Sequence, residues 1–204
     1  MRVVCIDHGL DLTQSFGEPR PKGLHMSDFY NSYHAALNPK KYGSRGGDPT
    51  DLWTLGMCFE DMLEAGLKRR AVLAEGSGRP NGLSVDIDGH EVHYSPDLLI
   101  FNGTTRVGEI KLTFMSPKGD FPWMLGKVYD GFGPKADKYL TQIKLYCKCV
   151  GTRHARLYAF FVPEAIRATG RALRCWDITF TQHELDEEWD TIMRHVKAEG
   201  LLHG

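Results

Sequence analysis

Between Leu83 and Leu112 short apolar runs alternate with two Asx-Gly turns, and this stretch restricts the fold more than any other. Val85-Asp86-Ile87, the turn Asp88-Gly89 and His90 to Tyr94 spell one hairpin. Asp97 to Phe101, the turn Asn102-Gly103 and Arg106 to Leu112 spell a second. Asx-Gly pairs supply the positive φ that a two-residue hairpin turn requires. A chain carrying two such hairpins builds a sheet, and the flanking segments decide what covers it.

Those flanks are helical. Ser27 is placed to cap a short helix running to Leu37 before Pro39, and Lys40 to Gly47 reads as loop. Asp48-Pro49 opens a longer helix, in which Leu52, Leu55, Phe59, Met62 and Leu63 recur at helical spacing toward Gly66 or Arg70. A further helix runs from Lys135 to Cys149, with Leu140, Ile143, Cys147 and Val150 on one face and Gly151 as its stop. Arg156–Val162 and Leu173–Phe180 read as strands. Thr181 and Glu184 form a capping box before the stripe Leu185, Trp189, Ile192 and Val196. The sequence predicts an α/β fold with a mixed central β-sheet flanked by helices. Residues 1–204 read as one domain, with an N-terminal arm at 1–24 and an irregular insertion at 113–134.

Composition removes several function classes. With 25 basic and 26 acidic residues the net charge is -1, so binding to nucleic acid cannot come from total charge, and only a local basic groove could provide it. No stretch approaches the roughly 18 apolar residues of a membrane span, and the start of the chain turns acidic too soon for a signal peptide. The five scattered cysteines fit no secreted disulfide framework. The expectation is a cytoplasmic protein with no membrane partner. The histidines lack the His-x-x-x-His spacing of a zinc protease, and Gly43 to Gly47 lacks the spacing of a nucleotide-phosphate loop.

The chemistry concentrates in the second hairpin. Asp97 opens one strand and Glu109 lies near the end of the next, so the turn at Asn102-Gly103 lets their carboxylates meet at one end of the sheet. Glu109 and Lys111 are two apart in a strand and emerge on one face, with Ile110 on the other. Two carboxylates beside an ammonium are costly unless something binds there, and oxygen ligands suit Mg²⁺ or Mn²⁺. Glu60 stands four residues after Gly56, which would let that helix approach the sheet. Gln142 and Tyr146 share a stripe of the later helix with Tyr139. Each pair is also what ordinary helix packing with polar residues at its boundary would give.

Taken in order, Glu60, Pro96-Asp97, Glu109-Ile110-Lys111 and Gln142 to Tyr146 resemble the PD-(D/E)XK nuclease superfamily, and the Gln-x-x-x-Tyr spacing resembles its RecB-like branch. That branch includes phage exonucleases and the nucleases of CRISPR adaptation. The similarity covers about residues 27–162, and Met26 to Pro39 is similar to the short leading helix of the family. The resemblance implies a restriction-endonuclease-like core in which Asp97, Glu109 and the main-chain carbonyl of Ile110 hold Mg²⁺ or Mn²⁺, with Glu60 as a further ligand. It implies that Lys111 positions or deprotonates the attacking water, that Gln142 orients Lys111 or the phosphate, and that Tyr146 supports the DNA backbone. Cys5, Cys58, Cys147, Cys149 and Cys175 do not match the iron–sulfur pattern of some relatives, so buried thiols and no cluster are expected.

The implied activity is exonucleolytic DNA hydrolysis leaving 5′-phosphate and 3′-hydroxyl ends, in phage recombination or repair, within the host cytoplasm if phage-encoded and beside a recombination or replication partner. A structure- or sequence-specific endonuclease, or a catalytically silent DNA-binding subunit, remain alternatives on the same core. Lys135, Lys138 and Lys144 are candidates for phosphate contacts. In the insertion Phe121, Trp123, Tyr129 and Phe132 stand beside Lys118 and Lys127, a mixture that suits stacking on unpaired bases. A self-packed Ω-loop is the other reading of that insertion. His93 lies near Asp97 in sequence and reads either as a substrate contact or as a satisfied strand histidine.

Overall fold

The computed structural model describes residues 22–42, 50–70, 73–117, 120–121, 130–167 and 172–203. In chain order these hold β1 (Leu24–His25), α1 (Met26–Leu37), α2 (Pro39–Tyr42), α3 (Thr50–Arg69), β2 (Ser84–Ile87) and β3 (His90–His93). There follow β4 (Leu98–Asn102), β5 (Thr104–Thr113), α4 (Asp137–Val150), β6 (His154–Phe161), α5 (Val162–Arg167), β7 (Leu173–Thr179) and α6 (Gln182–Ala198).

Both predicted hairpins form, but they enter different sheets. The first pairs with β1 in a three-stranded sheet of order β1-β3-β2, and the second begins a four-stranded sheet of order β4-β5-β6-β7. In the latter, β4 and β5 run antiparallel, β5 and β6 parallel, and β6 and β7 antiparallel, so this sheet is mixed and helices flank it. The resemblance implies the order helix, three strands, helix, strand. Between α3 and α4 the described residues instead hold four strands, of which only β4 and β5 belong to the sheet that β6 joins.

Alternation along β5 divides the core. Val107 faces a cluster built from α1, α4 and α6, including Phe29, Ile143, Leu145 and Ile192. Ile110 faces a second cluster with Phe59 of α3, Leu98, Ile100 and Tyr158. Fully burying each such side chain contributes roughly 2 kcal/mol. Glu109 and Lys111 share the parity of Val107, so both belong to the α1/α4 side.

The close approach at the sheet occurs at Gly108, not Gly56. Across the hairpin Gly108 faces Leu98, and a Cβ built on it would lie 2.7 Å from the Leu98 Cβ. A Cβ at Gly56 meets nothing within 4 Å among the described residues. Helix α3 instead leans on the sheet through Phe59, Leu63 and Leu67.

Local signals otherwise map onto the elements with a few corrections. Gly151 caps α4 in the left-handed conformation at φ 74, and Thr181 and Glu184 make the expected reciprocal capping box. Ser27 does not cap α1: the helix follows directly from β1, its N-cap is His25 and no side chain caps it. The short helix α2 overlaps the start of the expected loop Lys40 to Gly47, and α5 follows β6 in a stretch to which the sequence reading assigns no element beyond Val162. Asp48-Pro49, residues 1–21 of the arm and residues 122–129 of the insertion lie outside the described residues. No helix among the described residues is long and apolar enough to cross a membrane.

Packing at these two glycines is directly measurable. Gly108→Ala is expected to lower stability by about 1–3 kcal/mol because strand backbone must move. Gly56→Ala, in open space on a helix, is expected to raise it by up to about 1 kcal/mol. Urea denaturation of the two variants checks both signs.

Candidate active site

The hairpin register sets the site. Leu98 pairs with Gly108, which brings Asp97, the residue just before β4, beside Glu109 and Ile110. Asp97 turns one oxygen, Oδ2, onto the Ile110 main-chain N–H, which donates at 2.6 Å. Glu109 is 0 % exposed, and its Oε1 forms an ion pair with the Lys111 ammonium. Its other oxygen, Oε2, is buried with no hydrogen-bond partner. A buried carboxylate oxygen left in this way is destabilising by about 1–3 kcal/mol or more.

Glu60 reaches this cluster from α3 and senses the charges of Asp97 and Lys111. All three carboxyl groups are displaced upward. Burial, then the charge of Asp97, push Glu60 up to about 7 and Glu109 up to about 8. Burial likewise raises Asp97, against the opposing pull of Lys111 and the Ile110 N–H. Burial alone would lower the Lys111 ammonium, but Glu109, Asp97 and Tyr30 outweigh it and hold Lys111 above its ordinary value. These carboxylates thus favour the charged form of Lys111.

The α1/α4 side completes the wall. Gln142 and Tyr146 are both buried on α4. Gln142 lies beside Tyr146, and Tyr146 beside Tyr30 of α1, close enough to influence one another's ionisation. Burial raises both phenols, so they remain neutral hydrogen-bonding groups. The Lys111 ammonium also lies 5.9 Å from the centre of the Tyr139 ring, within cation–π range. In front of Lys111 opens a pocket of about 380 Å³ lined by Tyr30, Asn31, Lys41, Lys135, Lys138 and Gln142 among others.

The structure thus brings Glu60, Asp97, Glu109, Lys111, Gln142 and Tyr146 into one network. Of the lysines considered for DNA, Lys138 and Lys135 line the pocket, and Lys135 is also paired with Asp120 at 2.6 Å. Lys144 does not join them: it pairs with Glu188 of α6 at 2.9 Å and lines a separate groove. Trp123 lies outside the described residues. Phe121 and Phe132 are not offered to a substrate. They pack edge-to-face at 5.9 Å, beside Phe161 and Trp176. Within the insertion the Gly133 N–H donates to the Asp120 carbonyl at 2.7 Å. His93 stacks near His25 at 5.4 Å in the other sheet. Cys147 is buried as expected, whereas Cys175 is exposed on β7, the edge strand.

Two residues of the site escape the sequence reading. Tyr30 was visible only as part of the leading helix. Arg79, from the connection between α3 and β2, places Nη2 3.2 Å from Glu60 Oε2 and 3.2 Å from Asp61 Oδ1.

The donors suit a hard divalent cation: several carboxylate oxygens, one of them buried and unsatisfied, that repel one another as anions. Among the described residues no three His, Cys, Asp or Glu side chains are grouped so that they could hold a metal ion as they stand. Lys111 engages Oε1 of Glu109 and the Ile110 N–H engages Asp97 instead.

No protein-family model and no curated protein matches the chain. Among solved structures, SSO0001 aligns at 14% identity and TM-score 0.47, covering 90% of this chain and 81% of that one. The alkaline exonuclease LHK-Exo from Laribacter hongkongensis aligns at 16% identity and TM-score 0.42, with 87% and 89% covered. LHK-Exo in complex with dAMP aligns at 14% and 0.38, with the same coverage. Likenesses this distant carry no functional argument, which rests on the geometry above.

The displaced carboxyl groups make stability depend on pH. In the unfolded chain Glu109 and Glu60 ionise near 4.5, and in the folded protein near 8 and 7. Between those values the native state holds protons that the unfolded chain has released, so their contribution is full below about pH 4.5 and is lost as pH rises toward 8. His34, which burial holds below its ordinary value, acts in the opposite sense. The difference between wild type and Glu109→Gln isolates the effect. In metal-free buffer, urea midpoints are expected to fall from pH 5.5 to about pH 8 more steeply in wild type than in the variant. Parallel profiles would show that Glu109 ionises normally.

Proposed function

We propose that this protein is a divalent-metal-dependent nuclease that hydrolyses DNA phosphodiester bonds, of the PD-(D/E)XK type and its RecB-like branch. The observation that carries the reading is the meeting of Glu60, Asp97 and the buried Glu109 around the Lys111 ammonium, beside a pocket with further lysines. Asp97, Glu109 and Glu60, with the Ile110 carbonyl, are the residues that would hold Mg²⁺ or Mn²⁺. A bound divalent cation supplies an acidified water and charge stabilisation at the phosphate.

The protein's own groups do the remainder. Lys111, paired with Glu109, would position or deprotonate the attacking water and offset charge on the scissile phosphate. Gln142 and Tyr146, buried on α4 beside Tyr30, form the wall against which Lys111 and the phosphate would be oriented. Lys138 and Lys135 add positive charge on the substrate side.

The finer reading is an exonuclease acting within a single domain and leaving 5′-phosphate and 3′-hydroxyl ends, in phage recombination or repair. The small pocket directly beyond Lys111 supports a strand end as its occupant. Asp97→Ala and Lys111→Ala are expected to reduce cleavage at least about 100-fold with the fold kept, and Tyr146→Phe less than about tenfold. Linear and covalently closed circular DNA incubated with Mn²⁺ or Mg²⁺, with EDTA and Lys111→Ala as controls, test the activity. Loss of the linear form alone, abolished in both controls, is the expected result. Cutting of the closed circle would replace exonuclease by endonuclease, and inertness toward both substrates would count against the nuclease reading.

A further inference from the structure

Arg79 occupies a position built from two sides. The residue before it, Gly78, pairs with Leu99 at the start of β4, through N–H to carbonyl bonds of 3.0 and 2.8 Å in the two directions. This fixes the connection two residues from Asp97. On the helix side, the Arg79 N–H donates to Glu64 Oε1 at 3.2 Å, and Lys68 holds the same oxygen at 2.6 Å. Gly78 allows that approach: its φ is +155, and an added Cβ would stand 3.0 Å from both Glu64 Oε1 and Lys68 Nζ.

The backbone is thus anchored while the side chain is 36 % exposed at the mouth of the carboxylate cluster. Its guanidinium touches Glu60 and Asp61, both through Nη2. Glu60 is the member of the cluster held by this external cation, as Glu109 is held by Lys111. Each pairing resists a second cation at the same carboxylate. A guanidinium released from Glu60 is well suited to a phosphate, whose oxygens match its planar fork.

Resting on the nuclease reading above, we infer that Arg79 exchanges partners: it guards Glu60 in the resting protein and grips a substrate phosphate when Glu60 turns to the divalent cation. The two binding events then assist one another. Phosphate that draws Arg79 away exposes Glu60, and engagement of Glu60 elsewhere frees Arg79. Linkage makes that assistance equal in both directions. Arg79 is in this account a substrate-binding residue that also delays completion of the ligand set until DNA is present.

The signature is a pair of opposite changes that a purely structural role would not produce. Calorimetric titration of the full chain with Mn²⁺ alone is expected to show tighter binding in Arg79→Ala than in wild type, by about threefold or more, because the competitor for Glu60 is gone. Anisotropy with a phosphorothioate oligonucleotide and Ca²⁺ is expected to show weaker DNA binding in the same variant, by about tenfold. With EDTA the DNA affinities of the two proteins should differ much less, since Arg79 then remains on Glu60. Arg79→Lys, which keeps charge without the fork, should retain the guarding of Glu60 but lose most of the DNA effect. It also serves should Arg79→Ala unfold. Equal Mn²⁺ affinity in wild type and variant, with equal loss of DNA binding in Ca²⁺ and EDTA, would overturn the exchange and leave the nuclease reading standing. Absence of Mn²⁺ uptake by the wild type would overturn both.

Discussion

Glu109 has no exposed surface, and the groups around it are those its burial demands. Moving a carboxylate out of water costs several kcal/mol unless partners replace the lost solvation. Lys111 supplies one partner on the same strand, yet Oε2 has none and Asp97 stands beside it just before the facing strand. The balance is incomplete within the protein's own groups. Proton uptake, a divalent cation or Lys111 alone can neutralise the cluster only in part or in competition, and that competition is the physical basis of the proposed function.

The fold brings these charges together through one register. Gly108 lets Leu98 cross β5 closely, and this brings Asp97, just before β4, beside Glu109. Because side chains alternate, Ile110 anchors the same strand in the core behind the site while Glu109 and Lys111 face α1 and α4. A slip of one residue would bury Lys111 in the apolar cluster and expel Ile110. Apolar packing on one face therefore fixes the geometry of the charged face.

What was legible in the sequence is what local chemistry specifies. The Asp88-Gly89 turn, the Thr181–Glu184 box and Gly151 act over a few residues, and their outcomes match. At the second turn Asn102 stays in β4 opposite Thr104 and Gly103 takes the positive φ. Spacing of two along a strand likewise sufficed to put Glu109 beside Lys111. Tertiary proximity was less visible. Gly56 looked like the point of close approach because it sits one turn before Glu60, whereas the tight contact is made across the hairpin at Gly108. Lys144 has helical spacing suited to a phosphate track, but its stripe faces α6, where Glu188 holds it. Arg79 arrives from a connection with no periodicity, and its importance depends on Gly78 pairing with Leu99, a contact between segments that share no sequence signal. Tyr30 was hidden in an amphipathic helix whose apolar spacing accounts for an aromatic residue without any polar duty.

The central claim is that the Asp97–Glu109 cluster is completed by a divalent cation. Thermal unfolding of wild type and Glu109→Gln near pH 8, each with and without Mn²⁺, tests it most directly. The account predicts that Mn²⁺ raises the midpoint of the wild type, and raises that of the variant much less, because binding to the folded state alone stabilises it. No shift in the wild type, or an equal shift in both proteins, would contradict it.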